Sequence, residues 1–167
     1  MQSLLIGCGN SRDKRIPTCG KEWGSLTTLD IDEDSNPDIV HDLLVYPYPL
    51  QDESFNEIHA YEVLEHLWQQ GDYEAFFRFF TEIHRLLTKG GVFAASVPDS
   101  KSIWAFGDPG HRSLVTAEQM VFLSQRQYRD QVGVTTMTDY RRIWKGDLEL
   151  IWQNSSGTSL YFTLQKQ

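Results

Sequence analysis

The stretch SLLIGCGN, Ser3 to Asn10, is a short apolar run that stops on Gly7, the pattern of a buried parallel strand feeding a glycine turn. Leu26 to Ile31 repeats the pattern and ends in the acids of TLDID. Between the two lies SRDKRIPTCGKEWGS, where Pro17, Gly20 and Gly24 interrupt any helical period. The crossover is long enough to return the second strand parallel to the first, yet partly helical at most.

The rest of the chain extends this pattern. Asp38 to His41 reads as a short strand closing on Asp42, YPYPLQDES as a proline-rich loop, and Glu57 to Tyr61 as a fourth strand. Tyr73 to Leu87 places Phe76, Phe77, Phe80, Ile83 and Leu87 on one side of a helix that ends at Lys89-Gly90-Gly91. Val92 to Val97 is a fifth strand stopped by Pro98, and Thr116 with Gln119 forms a capping box opening a helix to about Gln131. Leu148 to Gln153 and Leu160 to Gln165 alternate around NSSGT as a hairpin. The expected fold is α/β: a doubly wound, Rossmann-like, mainly parallel sheet with a C-terminal antiparallel hairpin, forming a single domain over residues 1–167.

Composition narrows the function classes. An apolar share of 40% excludes a disordered chain, and no apolar run reaches bilayer length. The start, MQSLLIGCGN, lacks the features of a secretory signal, so a cytoplasmic protein is expected. Cys8 and Cys19 match no metal spacing and are too few for a disulfide framework. A net charge of −8 disfavours nucleic acid as a partner, and a membrane is not expected as one either. The basic clusters Arg12, Lys14, Arg15 and Arg141, Arg142, Lys145 read as solvated loop charge.

In open α/β sheets, ligands bind beyond the carboxyl ends of the strands, where strand order reverses. Gly7-Cys8-Gly9 falls there, and its backbone can approach a ligand closely, although a plain turn would need the same glycines. Arg12 stands where a dinucleotide turn has its third glycine. Asp30 closes the second strand, where a carboxylate can accept both hydroxyls of a ribose or simply cap a turn. Asp42 closes the third and suits an adenine amino group, with the Leu43 N–H on a ring nitrogen. A ribose acceptor and an adenine acceptor on successive strands make an adenosine site.

Taken in order, LIGCGN, TLDID, PDIVHDL, FNEIHAYEVLEHL and RLLTKGGVFAASVPD resemble the class I methyltransferases of the type 11 group, from Leu4 to about Arg112. The resemblance implies S-adenosylmethionine as cofactor and methyl transfer to an acceptor, by default a small molecule or sugar. It implies Gly7, Cys8 and Gly9 near the methionine part, Asp30 and Ile31 at the ribose, Asp42 and Leu43 at the adenine, and Ala60, Tyr61 and Glu62 flanking the methionyl arm. Two residues depart from the pattern: Leu5 stands where an acid often precedes the glycine turn, and Asn56 follows Phe55 in place of Asp. The chain also starts at the first strand, without the helix that commonly covers the cofactor, so an open site, or one completed by an oligomer or another partner, is expected.

EVLEH, Glu62 to His66, is one residue type away from the HxxEH zinc signature, and His111 could add a further ligand. The reading adopted is a polar cluster at a helix start, with no metal. His111, in SIWAFGDPGHRSLVT after the fifth strand, is the candidate catalytic base, with Trp104 and Phe106 walling the acceptor pocket. A loop histidine held by hydrogen bonds is the plainer alternative for His111. Competing functions are a cofactor-binding or partner-binding module without catalysis, an NAD-dependent oxidoreductase, and a metallohydrolase.

Overall fold

Gln2–Ile6 (β1), Ser25–Asp30 (β2), Ile39–Val40 (β3), Phe55–Tyr61 (β4) and Leu87–Pro98 (β5) lie parallel in the computed structural model, which describes residues 1–167. Leu148–Ser155 (β6) and Ser159–Lys166 (β7) form the hairpin, and β7 inserts antiparallel beside β5. The strand order is β3-β2-β1-β4-β5-β7-β6, so the direction of winding reverses between β1 and β4. The α/β class expected from the sequence is the one found. No helix is long and apolar enough to cross a membrane.

The main core lies on one face of the sheet. Leu4, Ile6, Ile58, Phe93, Ala95, Phe162 and Leu164 meet the helix Tyr73–Leu86 (α1) there. Asp72 caps α1 by accepting the Ala75 N–H (3.0 Å), and the helix buries Phe76, Phe77, Phe79, Phe80, Ile83 and Leu86. Its end differs from expectation. α1 stops at Leu86 and the chain is already extended at Leu87, so Lys89-Gly90-Gly91 lies inside β5. Extended backbone carries Leu87, itself fully buried, straight into pairing with Phe55.

Beyond β5 a short turn of helix, Trp104–Gly107 (α2), was not expected. The capping box of Thr116 and Gln119 is present but opens a 3-10 stretch, Ala117–Leu123. Ser124 then breaks the expected single helix and caps Gln125–Gln131 (α3) by accepting the Gln127 N–H (3.3 Å).

The other face of the sheet carries no helix. Leu5, Cys8, Ile16, Tyr61 and Ala94 form a small cluster there, covered by the irregular segment between β1 and β2. That segment is tied down by polar contacts. Lys14 Nζ donates to Glu57 Oε1 (2.8 Å), with Glu57 fully buried, and Trp23 Nε1 donates to the Arg12 carbonyl (2.6 Å). Arg12 itself donates to the carbonyls of Gly9 (2.6 Å) and Ser35 (2.9 Å). Reading Arg12 and Lys14 as solvated loop charge is thereby corrected, because both are used up inside the fold.

Candidate functional site

The register of the parallel strands brings the expected residues to one level. Ile6 pairs with Leu29 on one side and with Ala60 on the other, so Gly7, Asp30 and Tyr61 stand together one step beyond. The His41 N–H donates to the Asp30 carbonyl (2.8 Å), which sets Asp42 beside the same end. Gly7, Cys8, Gly9, Asp30, Ile31, Asp42, Leu43, Ala60, Tyr61 and Glu62 therefore share the carboxyl-end shelf across the β1/β4 reversal.

Backbone geometry explains the glycines. Gly7 has φ +60°, and a Cβ there would meet Val63 Cγ2 at 2.4 Å. Gly9 has φ +47°, but a Cβ there would meet nothing within 4 Å, so its open side can be approached by a ligand. The Gly9 N–H donates to Asp30 Oδ2 (2.7 Å), and the Asp32 N–H donates to Oδ1 (2.9 Å). Asp30 is thus aimed by two backbone bonds while each oxygen keeps acceptor capacity for a hydroxyl. An open glycine cradle next to an oriented carboxylate fits an adenosyl group carrying an amino-acid arm.

Other residues of the set are also engaged. Asp42 Oδ1 accepts the Leu44 N–H (2.8 Å), and Leu43 is buried with its carbonyl accepting the Tyr48 hydroxyl (3.0 Å). Glu62, at φ +57°, accepts the Ser96 hydroxyl (2.7 Å) and donates its N–H to the Ser96 carbonyl (2.8 Å). Tyr61 turns its ring to the helix-free face, where its hydroxyl accepts the N–H groups of Arg15 (3.1 Å) and Ile16 (3.2 Å). Only the backbone of Tyr61 is left for the shelf. Ile31 is exposed.

Next to the shelf, Glu65, His66 and His111 offer ligand atoms within 4.8 Å of one another. His111 Nε2 is 3.9 Å from Glu65 Oε1 and 4.0 Å from Asp108 Oδ2. Glu65 is buried, and neither of its oxygens has a hydrogen-bond partner. Burial, together with the charges of Glu62 and Asp108, pushes its carboxyl up to about 8. Trp104 and Phe106, expected to wall the acceptor pocket, stand exposed on α2. An aromatic cavity of about 210 Å³ lies instead at the start of α1, lined among others by Trp68, Tyr73, Phe76, Phe122 and Tyr140. It is joined to the His111 loop by the Gln70 N–H, which donates to the Arg112 carbonyl (3.1 Å).

One polar network escaped the sequence reading. Glu57, His59 and Tyr61 alternate on the helix-free face of β4: Glu57 accepts from Ser3 (2.7 Å), Lys14 (2.8 Å), Thr18 (2.8 Å) and His59 Nε2 (3.2 Å). Burial alone would raise the Glu57 carboxyl, but those donors outweigh it and hold it well below the usual carboxylate range. Burial keeps His59 neutral, so its Nδ1 accepts the Tyr61 hydroxyl (2.6 Å). The period-two spacing in NEIHAY was the available signal.

The family described as a methyltransferase domain matches residues 4–95, more than half of the chain. By sequence, no curated protein matches. Several solved structures share the fold. A SAM-dependent methyltransferase from Archaeoglobus fulgidus is similar with a TM-score of 0.61 at 15% identity, over 99% of this chain and 86% of that one. The Haloferax volcanii complex between the Trm112 methyltransferase activator and a methyltransferase gives a TM-score of 0.62 at 15% identity, over 99% and 81%. The N-methyltransferase NodS from Bradyrhizobium japonicum, solved with S-adenosyl-L-homocysteine, gives 0.56 at 17% identity, over 99% and 77%.

Proposed function

Because the chain belongs to the methyltransferase domain family, we propose that it moves a methyl group from S-adenosylmethionine to a small-molecule acceptor, a sugar being one candidate class. The observation that carries this reading is the Gly9–Asp30 contact at the β1/β4 reversal. It puts an open backbone cradle and an oriented carboxylate side by side. Gly7, Cys8 and Gly9 would hold the methionine part, Asp30 and Ile31 the ribose, and Asp42 and Leu43 the adenine. Ala60, Tyr61 and Glu62 would flank the methionyl arm, Tyr61 through its backbone. When bound, the cofactor supplies a methyl group on a sulfonium, which departs as a neutral thioether.

The chain's own contribution is alignment, which can be worth several orders of magnitude. His111, whose Nε2 lies 3.9 Å from Glu65, would manage the acceptor's proton. A second copy or a partner would complete the site. The Haloferax relative was solved with an activator, which favours the partner.

Calorimetric titration tests the cofactor assignment. S-adenosylmethionine and S-adenosylhomocysteine should both bind, and NAD should not. Binding of NAD alone would overturn it. Transfer of a labelled methyl group into a cell-extract component then separates an enzyme from a cofactor-binding module without catalysis.

A further inference from the structure

We propose that the aromatic cavity at the start of α1 binds a neutral, planar aromatic small molecule with a hydroxyl or carbonyl group on its edge. The cavity measures about 210 Å³, and an apolar cavity of about 150 Å³ is enough to take up benzene. A single substituted ring, or a pair of fused ones, fills such a space. Its walls are rings: Trp68, Tyr73, Phe76, Phe77, Phe122 and Tyr140. Tyr140 packs on Phe77 (ring centroids 5.1 Å apart), Tyr73 (5.4 Å) and Phe122 (5.7 Å), while Trp68 meets Phe76 edge-on at 5.5 Å. Rings that already hold one another form a slot before any ligand arrives, so binding orders little of the protein.

Polar groups of the lining set the class of ligand. Trp68 is 4% exposed, yet its indole N–H makes no hydrogen bond within the chain. Gln70 Oε1 accepts the Leu114 N–H (2.9 Å), which leaves its Nε2 donor unused, and Asp72 Oδ1 accepts the Ala75 N–H (3.0 Å), which leaves Oδ2 unused. Gln119 is spent, accepting the Thr116 N–H (3.1 Å) and donating to the Leu114 carbonyl (3.1 Å). What remains can serve a hydroxyl or a carbonyl on a ring edge. A sugar would bring more hydroxyls than these groups can meet, and each one buried without a partner costs affinity. A cationic amine is disfavoured too, because Asp72 already offsets the positive end of α1 that opens on the same lining.

Position ties the cavity to the shelf. The chain leaves the carboxyl end of β4, passes through α1 and returns to the amino end of β5, so the first turn of α1 lies at the same edge of the sheet as Gly7 to Gly9. Gln70 reaches the loop after β5 through its N–H, which donates to the carbonyl of Arg112 beside His111 (3.1 Å). A ring held there is placed as the methyl acceptor: its hydroxyl oxygen would take the methyl group and give its proton to His111, with the cofactor leaving as the thioether. That use rests on the proposed methyl transfer; binding of the ring does not.

The test titrates the full chain with p-cresol, indole, methyl α-D-glucoside and tetramethylammonium, followed by calorimetry and by saturation-transfer NMR on the small molecule. p-Cresol and indole should bind with Kd of about 1 mM or tighter, and the other two more weakly. Tyr73→Ala and Tyr140→Ala should each weaken p-cresol about tenfold, and Trp68→Phe, which keeps a ring and removes the N–H, about fivefold. Trp152→Ser, at a half-exposed aromatic outside the cavity, should leave binding unchanged. Far-UV circular dichroism checks each fold, and Tyr73→Ala, at a half-exposed position, keeps the test decisive where a more buried variant does not fold. S-adenosylhomocysteine is titrated into the same samples. If it does not bind while p-cresol does, the methyl-transfer reading fails and the aromatic site stands. No binding of either aromatic compound, tighter binding of the glucoside or of tetramethylammonium, or wild-type affinity in the folded tyrosine variants overturns the site.

Discussion

The two faces of the sheet solve the same problem by different physics. On one, α1, the 3-10 stretch and α3 cover a continuous apolar core that includes Phe80, Phe93 and Trp144. On the other, an irregular segment is held by buried hydrogen bonds and the Lys14–Glu57 ion pair. Strand β4 serves both, with Ile58 and Ala60 toward the helices and Glu57, His59 and Tyr61 toward the segment. Apolar burial is non-directional and tolerates sliding, whereas a network of fixed donors and acceptors holds only one arrangement. The polar face therefore fixes the path of the chain leading away from Gly9, and with it one wall of the carboxyl-end shelf.

Large truncations on the helical face should have the greatest effect. Phe80→Ala removes a fully buried ring and should cost about 4 kcal/mol in chemical denaturation; a loss under about 1 kcal/mol would mean that the helical face is not the main source of stability. Glu57→Gln should cost about 3 kcal/mol, because it leaves the Lys14 ammonium buried without its counter-charge. The same variant sharpens the contrast through pH. The Glu57 carboxyl is held below its unfolded range, so its contribution is complete above about pH 4–5 and is lost as pH falls further. Acid titration of wild type should show that loss, and Glu57→Gln should show a shallower one. Equal slopes would remove the ion pair from the account.

Smaller effects are expected where the faces meet and at the rim. Asp30→Ala strips the oriented acceptor from the shelf and should weaken S-adenosylhomocysteine binding by about ten- to a hundredfold, measured by calorimetry on folded protein. An unchanged affinity would detach Asp30 from the cofactor. Trp152→Ser, at a half-exposed position on the edge strand β6, should change stability by no more than about 0.5 kcal/mol. A larger loss would show that the thin face depends on apolar cover after all.

The sequence by itself determined the strand order's raw material and the level of the site. Apolar runs ending in Gly7, Asp30, Asp42 and Tyr61 are short-range patterns, and in parallel strands each run's end lies at the same edge. It also determined α1, because one-sided phenylalanine spacing is local. Only the tertiary structure decided what became of Arg12 and Lys14, since a charge next to glycine and proline looks solvated until the partner, Glu57 from another strand, is known. It decided that Ser124 splits the last helix and that Leu87 leaves α1 early, because packing and strand pairing outweigh local propensity there. And it decided that Glu65, His66 and His111, which EVLEH and the later histidine offered only as one alternative, bring ligand atoms within 4.8 Å of one another. Their spacing in the chain is bridged by backbone bonds from Glu65 to Arg112 and Ser113, and such contacts exist only once the fold has formed.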